Sequence, residues 1–390
     1  MIPSRLAPAA ALLAFALLPA AAAAQTGLVI EDGQAQIVPA FADCLANVRD
    51  EMTANLDRAT GDYSDFWAGR DYLNHIDGVR AATLMSHGFN DWNVMPEHSY
   101  RISMALRERG VPLQIFYHQG GHGGPPPLEL MNRWFTRYVA GVENGVEDDP
   151  EAWIVREGDD PREPTPYPSY PHPEAESVVL HPPGGDGHWI GTLSLDGSGA
   201  GDAAGAAPGT GAGTGVIVDN FSFAGDQLAA AEWSNHRLLY ATPELREDVH
   251  LSGVATVRVR VSADAPAANL SVWLVSLPWT GGGEINDNLI TKGWADPSNA
   301  RAEDIASPRT GTPLAPGEFV ELEFALQPDD RVIPAGARIG LMIFSSDQSF
   351  TLHPDPGTTL TVDLGATSIS LPVVGGNAAL ERALGVPASQ

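Results

Sequence analysis

The period of the apolar residues changes once along this 390-residue chain, and that change limits its fold more than any other feature. Between residues 81 and 143, short apolar runs alternate with helical patterns. Ala81 to Met85 reads as a strand. Pro96 opens a helix that runs to Arg109, where Gly110 stops it, and Val111 to Tyr117 reads as the next strand. A second helix over Leu128 to Val139 places Leu130, Met131, Trp134, Phe135 and Tyr138 on one face. Strand–helix–strand–helix of this kind predicts a parallel sheet with helices packed on it. Further on the period drops to two. Val257, Val259 and Val261 alternate with Arg258 and Arg260; Val320, Leu322, Phe324 and Leu326 alternate with Glu321 and Glu323; Leu360, Val362 and Leu364 repeat the pattern. Such strands, separated by Gly, Pro and Asp turns, predict an antiparallel sandwich or jelly roll. The fold class is therefore α/β plus all-β.

Composition narrows the function classes. A net charge of −27 repels phosphate backbones and anionic lipid, so neither nucleic acid nor a membrane surface is the expected partner. With one cysteine, Cys44, no intramolecular disulfide can form. Arg5 precedes an apolar, Ala-rich run from Leu6 to Ala24, with small residues before Gln25. Residues 1–24 are expected to be a secretory signal peptide, and the protein to be secreted or in the cell envelope. A buried Ala-rich helix and a retained anchor compete with that reading, and a misassigned start would leave the protein cytoplasmic. Pro8 and Pro19 argue against one continuous helix. Ala42 to Leu56 reads as a helix, and Gly197 to Gly215 as a flexible surface loop. Trp273, Trp279 and Trp294 read either as buried strand aromatics or as an exposed binding patch.

The chemistry concentrates after the two apolar strands. Ser86-His87-Gly88-Phe89-Asn90-Asp91-Trp92-Asn93-Val94 follows the first, and His118-Gln119-Gly120-Gly121-His122-Gly123-Gly124 follows the second. An Asp and a His thus leave consecutive strand ends, where open α/β sheets keep their active sites. In α/β-hydrolases the triad runs Ser, then acid, then His, and the last two occupy loops of this sort. Three readings stay open from spacing alone: a triad pair of Asp91 and His122, an Asp that folds a turn beside a solvated Gly-rich loop, and a metal site through His118 and His122.

Phe66-Trp67-Ala68-Gly69-Arg70-Asp71-Tyr72-Leu73, His87 to Val94, and His118 to His122 resemble the Xaa-Pro dipeptidyl-peptidase family of serine peptidases. The likeness continues through Asn132-Arg133-Trp134-Phe135, Gly141 to Val146, Arg237 to Pro243, Leu251-Ser252-Gly253 and Ala335 to Leu341. The resemblance implies an α/β-hydrolase domain followed by a jelly roll, and release of N-terminal dipeptides with proline second. It makes Asp91 the triad acid and His122, rather than His118, the triad histidine. It implies no cofactor and no metal. On this basis residues 27–147 are expected to be a partial α/β-hydrolase domain with a cap remnant, 148–164 a linker, and 165–380 the jelly roll.

The sequence departs from the family pattern at the nucleophile. No Gly-x-Ser-x-Gly occurs, and neither Ser64 nor Ser86 sits in a strand–turn–helix elbow. Three accounts follow: a truncated or misannotated gene product, which leads; half of a split enzyme whose separate partner chain supplies the serine; or a non-catalytic jelly-roll module with a decayed hydrolase remnant. The expected ligand is a peptide with proline at its second position. Preference before proline and oligomeric state are not legible.

Overall fold

A computed structural model of the chain describes residues 28–31, 34–37, 39–56, 61–183, 186–195, 213–281, 288–302, 310–353 and 357–386. The leader-like residues 1–24 and most of the Gly-rich 197–215 stretch lie outside them. The chain divides into two units, residues 1–66 and 67–390. The first unit contains an antiparallel hairpin of β1 (Leu28–Glu31) and β2 (Gln34–Ile37) and helix α1 (Pro39–Asn55), where a helix over Ala42 to Leu56 is expected.

The second unit opens with the α/β layer. Strands β3 (Thr83–Gly88) and β4 (Leu113–His118) pair in parallel, with helix α2 (Pro96–Glu108) between them. Pro96 takes the first helical position, where its missing N–H costs nothing, and Gly110 follows the helix with φ +68°. Helix α3 (Leu128–Tyr138) comes next. Alternation along β4 divides its neighbours. Ile115 and Tyr117 join a core with Phe89 and Tyr170, and Phe116 meets Leu130 of α3 on the other face. Of the five aromatic and aliphatic residues expected on the inner face of α3, Leu130 and Trp134 are buried, while Phe135 is 53% exposed.

The stretch expected as a linker does more than connect. Within it β5 (Ala152–Ile154) pairs in parallel with β4, and just past it β6 (Thr165–Tyr167) pairs antiparallel with β5. The sheet order is β3-β4-β5-β6, so Thr165–Tyr167 pairs in the sheet of the α/β layer. Each of these two strands has three residues, too few for a period to be read.

The sandwich holds β7 (Ala175–Leu180), β8 (Gly191–Thr192), β9 (Thr214–Val218), β10 (Arg237–Ala241), β11 (Val249–Gly253), β12 (Thr256–Ala263), β13 (Leu270–Leu277), β14 (Leu289–Ala295), β15 (Val320–Ala325), β16 (Asp329–Ile333), β17 (Arg338–Phe344) and β18 (Thr359–Val374). One sheet runs β14-β13-β17-β10-β8; the other runs β15-β12-β18-β11-β16, with β7 and β9 also on β18. Val257, Val259 and Val261 of β12 bury fully, and Arg258 reaches across to Glu323 of β15 (2.7 Å). Between the sheets lies one apolar core. The five-stranded sheet is also covered on its outer face, where Trp273, Val275, Met342 and Phe344 form a second core against Trp92 and Trp279. On that outer face Trp92 of the α/β layer meets the sandwich.

Candidate active site

Gly88 makes the site possible. A Cβ there would collide with the Gly120 carbonyl and stand 2.6 Å from that of Gly121, so only glycine lets the loops after β3 and β4 touch. The two loops then lock together: Phe89 N–H donates to His118 O (2.8 Å), Asn90 N–H to Gly120 O (3.2 Å), and the Asn90 amide to Gln119 O (2.8 Å). Ser86, on β3, donates its hydroxyl to Gly124 O (2.8 Å) and fixes the far end of the second loop. Gly124, with φ +95°, leaves room for the His118 ring; a Cβ would lie 2.5 Å from its Nε2.

Within this frame Asp91 and His122 meet. Asp91 is 3% exposed. Its Oδ1 accepts the backbone N–H groups of Asn93 (3.1 Å) and Val94 (2.9 Å), and its Oδ2 lies 2.9 Å from His122 Nδ1. His87 Nε2 donates to Val94 O (2.8 Å) and stands 3.4 Å from the same Oδ2. Burial pushes the Asp91 carboxyl up, but hydrogen bonds from Val94, His122 and Asn93 together outweigh it, and the group is held below the ordinary carboxylate range. A carboxylate only accepts, so His122 Nδ1 carries the proton and Nε2 is left as an acceptor. The His122 side chain is 64% exposed. Two clefts flank it: one of about 430 Å³ lined by His87, Pro125 and Pro126, and one of about 700 Å³ lined by Trp92, Asn93, Ser349 and Phe350.

His118 is committed elsewhere. Its Nδ1 accepts the Gly120 N–H (3.0 Å), the ring is buried, and burial pushes its pKa down. It braces the loop and does not join His122 at a common point, and among the described residues no cluster of three His, Cys, Asp or Glu could hold a metal. Ser86 is spent on Gly124, and Ser64 belongs to the first unit. Among the described residues no side chain bonds His122 Nε2. Sequence reading missed His87 and the sandwich residues Gln327, Asp330 and Arg331. Gln119 donates to Asp330 O (2.7 Å) and accepts from Arg331 (3.4 Å), tying the His122 loop to β16. Those partners lie more than 200 residues away, and nothing local marks them.

A mostly parallel sheet presenting an acid and an imidazole from neighbouring strand ends is the architecture of the α/β-hydrolase class, and here a β-sandwich packs beside it. Family models agree: residues 11–124 match the X-Pro dipeptidyl-peptidase (S15 family), and residues 144–383 match the X-Pro dipeptidyl-peptidase C-terminal non-catalytic domain. The chain belongs to the Xaa-Pro dipeptidyl-peptidase family. A Rhodopirellula baltica relative carrying that name is 56% identical over 355 residues, covering 90% of this chain and 54% of the relative. The Xaa-Pro dipeptidyl-peptidase of Lactobacillus delbrueckii subsp. lactis is 32% identical over 361 residues, covering 82% and 44%. The chain thus spans about half the length of the curated relatives it matches. Among solved structures, an aminopeptidase from a marine sediment Thaumarchaeota archaeon superposes with a TM-score of 0.62 at 16% identity, over 86% of this chain and 62% of that one. An alpha-amino acid ester hydrolase superposes with a TM-score of 0.60 at 16% identity, over 85% and 62%. These two likenesses concern the fold.

Proposed function

We propose that this chain contributes the acid and the base of a serine-type site that releases N-terminal dipeptides with proline at the second position. One observation carries the reading: the 2.9 Å contact of His122 Nδ1 with Asp91 Oδ2 at parallel strand ends, with the other ring nitrogen open to a cleft. In this cycle His122 Nε2 takes the proton of a hydroxyl as its oxygen attacks the proline carbonyl carbon. The imidazolium, stabilised by Asp91, then protonates the departing amine. Water follows the same route, giving its proton to Nε2 as it attacks the acyl group, and the hydroxyl is restored.

The hydroxyl comes from outside the described residues, on a separate polypeptide segment that extends the sheet at β3. Two features support this. Among the described residues β3 pairs with β4 alone, and α3 leaves Leu128 and Phe135 exposed, with Val139 just beyond it 78% exposed. The alternative of a free-standing binding sandwich draws less support. Trp273 is 1% exposed, and Trp279 packs on the same core as Trp92. Trp294 stacks on Phe350 (5.1 Å). The three tryptophans that could have formed an open patch face inward or toward the α/β loop.

Export belongs to the same proposal, since the signal-like run lies outside the described residues; sequencing the mature N-terminus tests it. Among the described residues no helix is long and apolar enough to cross a membrane. The catalytic reading is tested with an alanyl-prolyl chromogenic anilide. The chain alone is compared with the chain mixed with the part of the Rhodopirellula relative that it does not match. Turnover that appears on mixing and vanishes in His122→Ala is expected. Turnover that survives His122→Ala sinks the reading.

A further inference from the structure

The loop that carries Asp91 is gripped from the sandwich at two points. At its end, where α2 begins, Glu97 N–H donates to the Gln327 side-chain carbonyl (3.1 Å), and the Gln327 backbone N–H donates to Lys292 O (2.9 Å). At its middle, Trp92 lies against the ammonium of Lys292 on β14, with Nζ 4.1 Å from the indole centroid. Three further rings surround that ammonium: Phe350 at 3.6 Å, Trp273 at 5.0 Å and Trp294 at 5.7 Å. All four lie within the range of a cation–π contact, and Lys292 is fully buried, where such contacts are strongest. Trp273 and Trp294 each donate their indole N–H to Asp347 Oδ2 (2.9 Å). An acceptor on the N–H edge pushes electron density into the ring, which deepens the negative face offered to the ammonium. Asp347 also closes the turn that presents Phe350, through Thr351 N–H and Phe350 N–H to its carbonyl (both 3.0 Å).

We infer that Lys292 is a positioning residue for the site: its ammonium, caged by Trp92, Phe350, Trp273 and Trp294, holds the Asp91 loop so that Asp91 meets His122. The inference rests on the Asp91–His122 pair proposed above and gives the sandwich a part in that pair's geometry. The geometry supports it because Trp92 follows Asp91 directly, and the Asn93 and Val94 amides that bind Asp91 Oδ1 follow Trp92. Freeing the indole frees the acid's own hydrogen-bond donors. Phe350, half-buried in the cage, also lines the cleft beside His122, so the same device shapes one wall of the site.

The test needs no turnover. In the full chain, the His122 Nδ1 proton bound to Asp91 gives a low-field proton resonance, identified by its loss in Asp91→Asn. In Lys292→Met, which keeps a similar stem and removes the charge, the resonance is expected to be lost to exchange with water while the fold persists. Lys292→Arg keeps a cation over the rings and is expected to keep the signal. A folded Lys292→Met with the resonance unmoved overturns the inference, because a merely structural lysine leaves that proton alone. Should Lys292→Met fail to fold, Trp92→Leu is read the same way: loss of the signal supports the clamp, and an unmoved signal overturns it. If wild type itself shows no resonance that Asp91→Asn removes, the acid–imidazole pair is not formed and the proposed function fails together with the clamp.

Discussion

The α/β layer and the sandwich solve the burial problem in different ways. In the sandwich, twelve strands find partners in two sheets, and one apolar core runs between them. In the α/β layer four strands share small cores, and β3 has one described neighbour. What the layer lacks in burial it makes up by leaning on its neighbour. Tyr170 donates to Asp329 O (2.9 Å), Tyr167 to Asp330 Oδ1 (3.0 Å), and Gln119 to Asp330 O (2.7 Å). Arg107 then ties Tyr170 O (2.8 Å) to α2. The sandwich is therefore a scaffold, and the layer is a site held on it.

Substitutions can break or sharpen that contrast. The largest effect belongs to chemistry. In the mixed, active system Asp91→Asn is expected to lower kcat by about 10⁴, as when a triad acid loses its charge and the wrong tautomer is held, with the melting temperature nearly unchanged. A small loss of turnover would mean that Asp91 serves the loop alone. Next comes the scaffold. Leu341→Ala, in the fully buried centre of β17, is expected to cost about 2–5 kcal/mol by chemical denaturation. The same change at Leu130, 9% exposed in the layer's smaller core, is expected near or below the lower limit of that range. Equal costs would erase the distinction between scaffold and site.

Gly88→Ala tests the layer from within. Its new Cβ meets backbone carbonyls that cannot swing aside, so overpacking of about 1–3 kcal/mol is expected, read from the same denaturation curves. The low-field His122 proton should weaken with it, since the loops that bring Asp91 to His122 are forced apart.

The scaffold's contact with the layer carries a pH signature. Burial holds the Asp329 carboxyl well above its ordinary range, against the opposing pull of Arg331. A group whose folded value is raised contributes stability that is intact below its unfolded value, about 3.9, and lost as pH rises through the folded value. Asp329→Asn keeps an oxygen for the Asp330 N–H (2.9 Å) and removes the titration. Its melting temperature relative to wild type should therefore climb as pH rises above 4. A difference that stays flat with pH would show that Asp329 folds as readily charged as neutral.

How much of this was legible followed from which faces meet water. β12, β15 and β18 announced themselves because one face is wet and the alternation survives. β13, Leu-Ser-Val-Trp-Leu-Val-Ser-Leu, is buried at every position and shows no period, since Val272 and Leu274 fill the inner core while Trp273 and Val275 fill the outer one. β5 and β6 carry no such mark, because three residues cannot show a rhythm. Asp91 and His122 stood out because glycines and strand ends marked their loops. Lys292 did not, because a lysine within a strand reads as a solvent-facing residue until the four rings around it are seen.

The smallest effect sharpens that last point. Arg258 and Val259 are neighbours on β12 that point to opposite faces. Val259→Ala, from a fully buried position, is expected to cost roughly 1.5–3 kcal/mol. Arg258 bonds Glu323 at 2.7 Å and lies near Glu321 at 3.6 Å, but all three side chains are more than half exposed. Water and salt screen that ladder, and ordering the long side chains cancels much of its gain. Arg258→Ala should leave the melting temperature unchanged at physiological ionic strength, with any shift appearing only at low salt. A clear loss at high salt would mean that the arginine stem covers apolar surface between β12 and β15, and that this face of the sandwich is drier than its charges suggest.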